Sequence, residues 1–146
     1  MLTVVAALLV RDDRLFIARR GPAETLAGKW EFPGGKVKGQ EKPESALARE
    51  LAEEFGIRVK VGDFFGENVH HYAHASVKLW AYWAHQLDGD LRLFVHDRYS
   101  WVRIPELRGY EFSPADVPFV RALEQRLLED CGVLREAPAD VMPRRV

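Results

Sequence analysis

The spacing of apolar residues changes several times along this chain, and each change predicts an element. Leu2–Val10 (LTVVAALLV) is almost continuously apolar, as expected of a strand covered on both faces. The run is too short to span a bilayer and leads directly into Arg11-Asp12-Asp13-Arg14. It has neither a basic leader nor a small-residue cleavage site, so it reads as a strand and not as a signal peptide. Asp12-Asp13 predicts a turn, and Arg14–Arg20 alternates as the return strand of a hairpin. Gly21–Gly28 reads as a loop, followed by a short strand at Trp30–Phe32 and the sequence Pro33-Gly34-Gly35. The period then becomes helical, because Leu47, Leu51 and Phe55 recur at four-residue steps. Pro43 suits the first turn of this helix, Lys42 is a poor cap, and Gly56 falls where a left-handed residue would close it.

Strands are predicted at Arg58–Glu67, Val69–His74 and Ser76–His85. Leu87-Asp88-Gly89-Asp90 signals a turn, answered by a strand at Leu91–Phe94. A further strand is expected at Tyr99–Arg103, with Ile104–Leu107 as a helical turn or loop. Val120, Leu123, Leu127 and Leu128 mark a second amphipathic helix from Pro114 to Glu129, with Ser113 as its cap. Arg135–Val146 combines prolines, charge and no period, which predicts a loosely ordered tail. We therefore expect one α+β domain over residues 1–134 and a tail over 135–146; the pattern alone is compatible with several α+β folds.

Composition narrows the function classes. A chain of 146 residues is long enough for a single buried core. A formal net charge of −1 offers no basic footprint for a nucleic-acid polymer, and no membrane partner is expected. One cysteine, Cys131, cannot form an internal disulfide, which fits a reducing cytoplasm.

Candidate chemistry concentrates on the first helix. Glu50, Glu53 and Glu54 stand at i, i+3 and i+4 and so share one face. Three carboxylates crowded there repel one another, whereas a solvated helix would intersperse lysines. A divalent cation turns the crowding to advantage, and oxygen-only ligands suit Mg²⁺ or Mn²⁺ better than zinc. Plain surface charge remains the competing reading for any Glu-rich helix.

The surrounding letters favour the cation. Gly35, five residues, Glu41, seven residues, then Arg49-Glu50-Leu51-x-Glu53-Glu54-x-Gly56-Ile57 resembles a complete Nudix box. At ordinary residue usage, such a coincidence is expected on the order of once in 10⁸ starting points. Upstream, Gly28-Lys29-Trp30-Glu31-Phe32-Pro33-Gly34-Gly35-Lys36 resembles the MutT-like branch of that family, and the likeness extends to about Cys131. The resemblance implies an α/β/α sandwich with a central mixed β-sheet. It also implies a Mg²⁺-dependent pyrophosphohydrolase (Mn²⁺ as substitute) that splits a nucleoside triphosphate into the monophosphate and pyrophosphate. By the same resemblance the Gly34 carbonyl and Glu53 and Glu54 ligate metal, Glu50 ligates or acts as base, Arg49 orients the acids, and Glu41 supports the helix start. Arg20 and Lys36 match positions that contact substrate.

Two departures matter. Many MutT-like enzymes carry another metal-binding acid before the strand that holds Trp101; here that position is Val95, and Asp97 is a candidate replacement. In Phe112-Ser113-Pro114-Ala115-Asp116-Val117-Pro118, which resembles the base-reading segment, Asp116 stands where a guanine-selective form has an amide. A carboxylate accepts hydrogen bonds from an exocyclic amino group, which tilts the expectation toward CTP, dCTP or a modified cytosine nucleotide. Oxidised guanine also carries an amino group and stays open. Helix-start capping is the alternative role for Asp116. ADP-ribose, a dinucleoside polyphosphate, or a non-catalytic binding module remain as other readings, as do a monomer or a homodimer.

His70, Tyr72 and His74 alternate on one strand face, with His71 opposite. No cysteine or distant partner completes a zinc site, so these read as polar strand residues or substrate contacts. Trp30, Phe65, Tyr72, Trp80 and Trp83 include candidates for a base-stacking ring, although core packing accounts for most of them.

Overall fold

The computed structural model describes residues 1–136, with side chains to residue 129. The apolar run becomes β1 (Leu2–Arg11), followed by β2 (Arg14–Arg20), β3 (Trp30–Glu31), β4 (Gly34–Lys36) and α1 (Pro43–Phe55). Then come β5 (Arg58–His71), β6 (Ser76–Asp88), β7 (His96–Val102), a 3₁₀ helix (Ile104–Gly109) and α2 (Val117–Glu136). β1 is the central strand. It lies parallel to β6 from Leu2 opposite Val77 to Leu9 opposite Ala84. It also pairs antiparallel with β4 at Val4–Ala6, and with β2 at Val10 and Arg11. The order β3-β2-β1-β6-β5, with β4 beside β1 and β7 beside β2, makes the sheet mixed.

Alternate residues of β1 feed two separate cores, which is why its sequence is apolar without a break. Val5, Ala7 and Leu9 pack with Phe16, Leu47, Leu51 and Phe55 in the layer beneath α1. Ala6 and Leu8 pack with Ile17, Phe112, Phe119 and Leu123 in the layer beneath α2. Helix, sheet and helix therefore form the expected three layers. In α1 the stripe Leu47, Leu51 and Phe55 is completely buried, worth about 1.5–3 kcal/mol for each side chain. Pro43 occupies the first turn and Lys42 makes no side-chain cap. Gly56 is left-handed at φ 69° and donates its N–H to the Ala52 carbonyl at 3.0 Å, ending the helix as its sequence predicts.

Several boundaries differ from expectation. Arg58–Glu67 and Val69–His74 are not two strands: β5 runs unbroken to His71 and absorbs its irregularity in register shifts between Val61, Phe64 and Gly66. Leu91–Phe94 is not a strand. Arg92 N–H bonds to the Phe55 carbonyl at 2.9 Å, and Leu91 and Leu93 fill space beside the α1 core. Ser113 does not cap α2: the helix begins at Val117, and the buried Ser113 hydroxyl has no hydrogen-bond partner. The Asp116 carbonyl instead accepts the Phe119 and Val120 N–H groups at 3.0 and 3.2 Å. α2 continues through Glu136, into the segment expected to be tail; residues 137–146 lie outside those described. Among the described residues, no helix is long and apolar enough to cross a membrane.

Candidate functional site

The glycine pair shapes the site by having no side chains. A Cβ on Gly34 would overlap the Val5 carbonyl of β1, and one on Gly35 would overlap the Glu50 carboxyl. Gly34 thus lets β4 close against β1, and Gly35 leaves the volume that Glu50 occupies. Glu50 is buried at 8% exposure, on the face of α1 that looks toward this strand.

Arg49 organises the acids around it. Its Nε and Nη2 donate to both oxygens of Glu41, at 2.7 and 2.9 Å. Nη1 donates to Glu50 at 2.9 Å and to Glu53 at 3.2 Å, while Nη2 also reaches the Lys36 carbonyl at 3.0 Å. One planar guanidinium therefore ties three carboxylates to the end of β4. The Arg49 hydrogen bonds, followed by the Lys38 N–H at 3.0 Å, hold the Glu41 carboxyl down to about 2. Glu54 is the opposite case. Burial, assisted by the fields of Glu50 and Glu31 and opposed by His96 and Arg20, pushes it up to about 7.

Glu50, Glu54, Gly34, Gly35 and Lys36 border one cleft of about 700 Å³, which continues to Tyr72, His74, Ser113 and Asp116. The donor set facing it from α1 and β4 is all oxygen, which fits a hard divalent cation. Among the described residues no three His, Cys, Asp or Glu side chains are drawn together closely enough to hold an ion as they stand. Glu53 does not border the cleft, and Arg49 engages oxygens of both Glu50 and Glu53.

The other expected residues are distributed unevenly. Arg20 borders the cleft, but its guanidinium is already occupied by Glu31 at 3.1 Å, the Thr25 carbonyl at 2.5 Å and the Thr25 hydroxyl at 3.3 Å. Lys36 borders the cleft and is exposed. Asp97, expected as a replacement acid, is not brought to the cleft: it forms a bidentate pair with Arg19, both bonds 2.8 Å, on the exposed side of β7. The neighbouring His96 turns inward instead. Its Nε2 lies 2.8 Å from Glu31, its ring stacks on Phe55 at 5.0 Å, and its buried Nδ1 has no partner. Asp116 is also buried, at 5% exposure. Burial and the nearby Glu31 raise its carboxyl well above the usual range, against Arg20 and the Phe32 N–H. His70 packs edge-on against Tyr72 at 4.4 Å. Trp30, Phe65 and Trp83 pack against the α2-side core, and Trp80 against the α1-side core. Tyr72 is the ring of that group that borders the cleft.

Glu31 and His96 also border the cleft, although the sequence does not single them out. Glu31 carries a usable signal, because it alternates with Trp30 and Phe32, which pack on the α2-side core. His96 carries none, since it adjoins Leu91–Phe94, whose letters predict a strand that does not form.

The same architecture, with related sequence, recurs in known proteins. The NUDIX domain family model matches residues 4–122. The chain is 35% identical over 122 residues to the CTP pyrophosphohydrolase of Escherichia coli, covering 84% of this chain and 90% of that protein. It is 39% identical over 127 residues to a putative 8-oxo-dGTP diphosphatase 2 of Mycobacterium tuberculosis, covering 85% and 89%. The solution structure of the E. coli ORF135 protein superimposes with a TM-score of 0.73 at 34% identity, over 96% of this chain and 95% of that one. The MutT protein of Methanosarcina mazei superimposes with a TM-score of 0.75 at 28% identity, over 85% and 93%. A domain-wide match, backed by relatives above one-third identity across nearly their full lengths, places this chain in the NUDIX domain family.

Proposed function

We propose that this Nudix hydrolase is a Mg²⁺-dependent pyrophosphohydrolase that converts a nucleoside triphosphate and water into the monophosphate and pyrophosphate, with cytosine nucleotides preferred. The observation that carries the reading is the shared cleft: the box acids Glu50 and Glu54 and the base-side candidate Asp116 line one continuous space. That space is of the size that takes a small-molecule ligand. The Escherichia coli relative named CTP pyrophosphohydrolase points the same way.

Glu50, Glu53, Glu54 and the Gly34 carbonyl would hold the divalent ion, with Mn²⁺ as a substitute. When bound, it supplies charge neutralisation for the phosphate oxygens and activation of water. The protein's own part is positional. Arg49 holds Glu50 and Glu53 in register and offsets their repulsion. Glu50 or Glu53 takes the proton from the attacking water. Lys36, exposed at the cleft edge, attracts the triphosphate. Arg20, tied to the loop at Thr25 and to Glu31, fixes the wall of the cleft and presents a cationic face to substrate. Asp116 accepts the exocyclic amino group of the base.

A second substrate, oxidised guanine triphosphate, is favoured by the Mycobacterium tuberculosis relative. Burial raises the Asp116 carboxyl well above the usual range, and a carboxyl at this position can pair with either base. The test is pyrophosphate release with Mg²⁺ from CTP, dCTP, 5-methyl-dCTP, dGTP, 8-oxo-dGTP, ATP and ADP-ribose, with Glu53→Gln as control. Cytosine preference abolished by the control supports the reading. Preference for 8-oxo-dGTP keeps the reaction and overturns the base. Silence toward every triphosphate overturns the reaction itself.

A further inference from the structure

The segment Glu111–Asp116, which delivers Asp116 to the cleft, is gripped from two sides. On one side it pairs with β3: Trp30 N–H donates to the Glu111 carbonyl at 2.8 Å, and Ser113 N–H donates to the Trp30 carbonyl at 2.9 Å. On the other side the grip comes from side chains. Asn68 Nδ2, on β5, donates to the Ala115 carbonyl at 2.9 Å. The Ala115 N–H donates to the hydroxyl of Tyr72, the residue after β5 ends, at 3.1 Å.

Both backbone polar groups of Ala115 are thus satisfied by side chains four positions apart, one on β5 and one just past its end. Ala115 is buried, so neither group can be left unpaired without cost. The Ala115 carbonyl belongs to the peptide that carries the Asp116 N–H, and that N–H closes a turn onto the Ser113 carbonyl at 2.9 Å. Little backbone freedom remains between the clamp and the Asp116 carboxyl. Tyr72, Ala115 and Asp116 all border the same cleft, so a shift at the clamp is a shift in the shape presented to substrate.

We propose that Asn68 and Tyr72 are positioning residues for substrate selection: through the Ala115 backbone they set where the Asp116 carboxyl stands, and hence how strictly one nucleobase is preferred. This rests on the reading of Asp116 as the base contact. Backbone pairing with β3 would by itself hold the segment to the domain. The contribution of β5 is to fix its distance from the wall formed by Tyr72. A hydrogen bond to a base tolerates only a few tenths of an ångström of misplacement, so loss of the clamp falls on discrimination first.

The experiment is to measure kcat and KM for CTP, dGTP, 8-oxo-dGTP and ATP with the intact protein and with Tyr72→Phe, Asn68→Ala, Asp116→Ala and each clamp variant combined with Asp116→Ala. Expected is a fall of about five- to tenfold in the ratio of kcat/KM between preferred and disfavoured bases for each clamp variant, the size expected for one buried hydrogen bond. The fall should lie mainly in KM for the preferred nucleotide, and adding either clamp change to Asp116→Ala should lower the ratio no further. A wild-type ratio in both clamp variants, while Asp116→Ala collapses it, would overturn the clamp and leave the base reading standing. A ratio unmoved by Asp116→Ala, or a protein without base preference, would overturn both. A clamp effect that persists in the Asp116→Ala background would also overturn the inference, because the path would not run through Asp116. If Asn68→Ala does not fold, Tyr72→Phe, which removes one oxygen and keeps the ring, decides alone.

Discussion

Gly35 and Glu50 share a space with room for one carboxylate: a Cβ built on the glycine falls inside the Glu50 side chain. Gly35→Ala should therefore push Glu50 out of position with little damage to the helix that carries it. A displacement near 1 Å at a reacting group costs about a hundredfold. We expect kcat to fall by roughly that factor, while the melting temperature moves little. A variant with full activity would show that Glu50 does not work from the position seen here.

Arg49 and Glu41 should prove coupled. Glu41→Gln removes the charged half of the bidentate contact, and Arg49→Lys cannot span Glu41, Glu50 and Glu53 at once. Each change should lower kcat/KM about tenfold or more, and the double variant should lose less than the sum of the two, as members of one network do. Additive losses in that cycle would argue that the pair acts at separate points.

Glu54 sets a pH signature. Its folded carboxyl, near 7, is raised from the ordinary 4.5, so between those values the native state binds more protons than the unfolded chain. Its contribution to stability is fully present below about 4.5 and is lost as pH rises through 7. Without divalent ion, thermal melting over this window should decline less steeply in Glu54→Gln than in the parent. Because a ligating carboxylate must be deprotonated, Mg²⁺ affinity measured calorimetrically should strengthen from pH 6 to 8 with release of a proton. A pH-independent affinity would remove Glu54 from the ligand set.

Asp97 offers a contrast. Its carboxylate is committed to Arg19, which holds it below the usual range. Asp97→Asn should leave Mg²⁺ affinity and stoichiometry unchanged, since an exposed pair contributes little. Loss of a bound ion in a titration of that variant would restore Asp97 as a ligand.

In the α1 core, Leu51→Ala should destabilise by about 2–5 kcal/mol in denaturant titration, the range for a buried leucine that leaves a cavity. A cost below 1 kcal/mol would contradict the complete burial of Leu51.

What the sequence determined by itself follows from local rules. Helical period, the proline at the first turn and the left-handed Gly56 specify α1 almost to the residue. Spacing alone places Glu50, Glu53 and Glu54 on one side of it, because residues three and four apart are neighbours on any helix. The continuous apolar letters of β1 announce a strand buried on both faces, and with it a layer on each side. Tertiary structure decided the rest. Leu91–Phe94 has the letters of a strand, but β6, the strand it would follow as a hairpin, is already paired on both sides by β1 and β5. The glycine pair reads in sequence as a place of close backbone approach, but the groups that approach it, Val5 and Glu50, are supplied from elsewhere in the fold. Asp97 and His96 are adjacent letters whose roles separate because successive residues of β7 point to opposite faces, one toward Arg19 and the other toward Glu31. The links from Asn68 and Tyr72 to Ala115 span more than forty positions. No local pattern encodes such contacts, because they exist only once the sheet has brought β5 beside the segment that leads into α2.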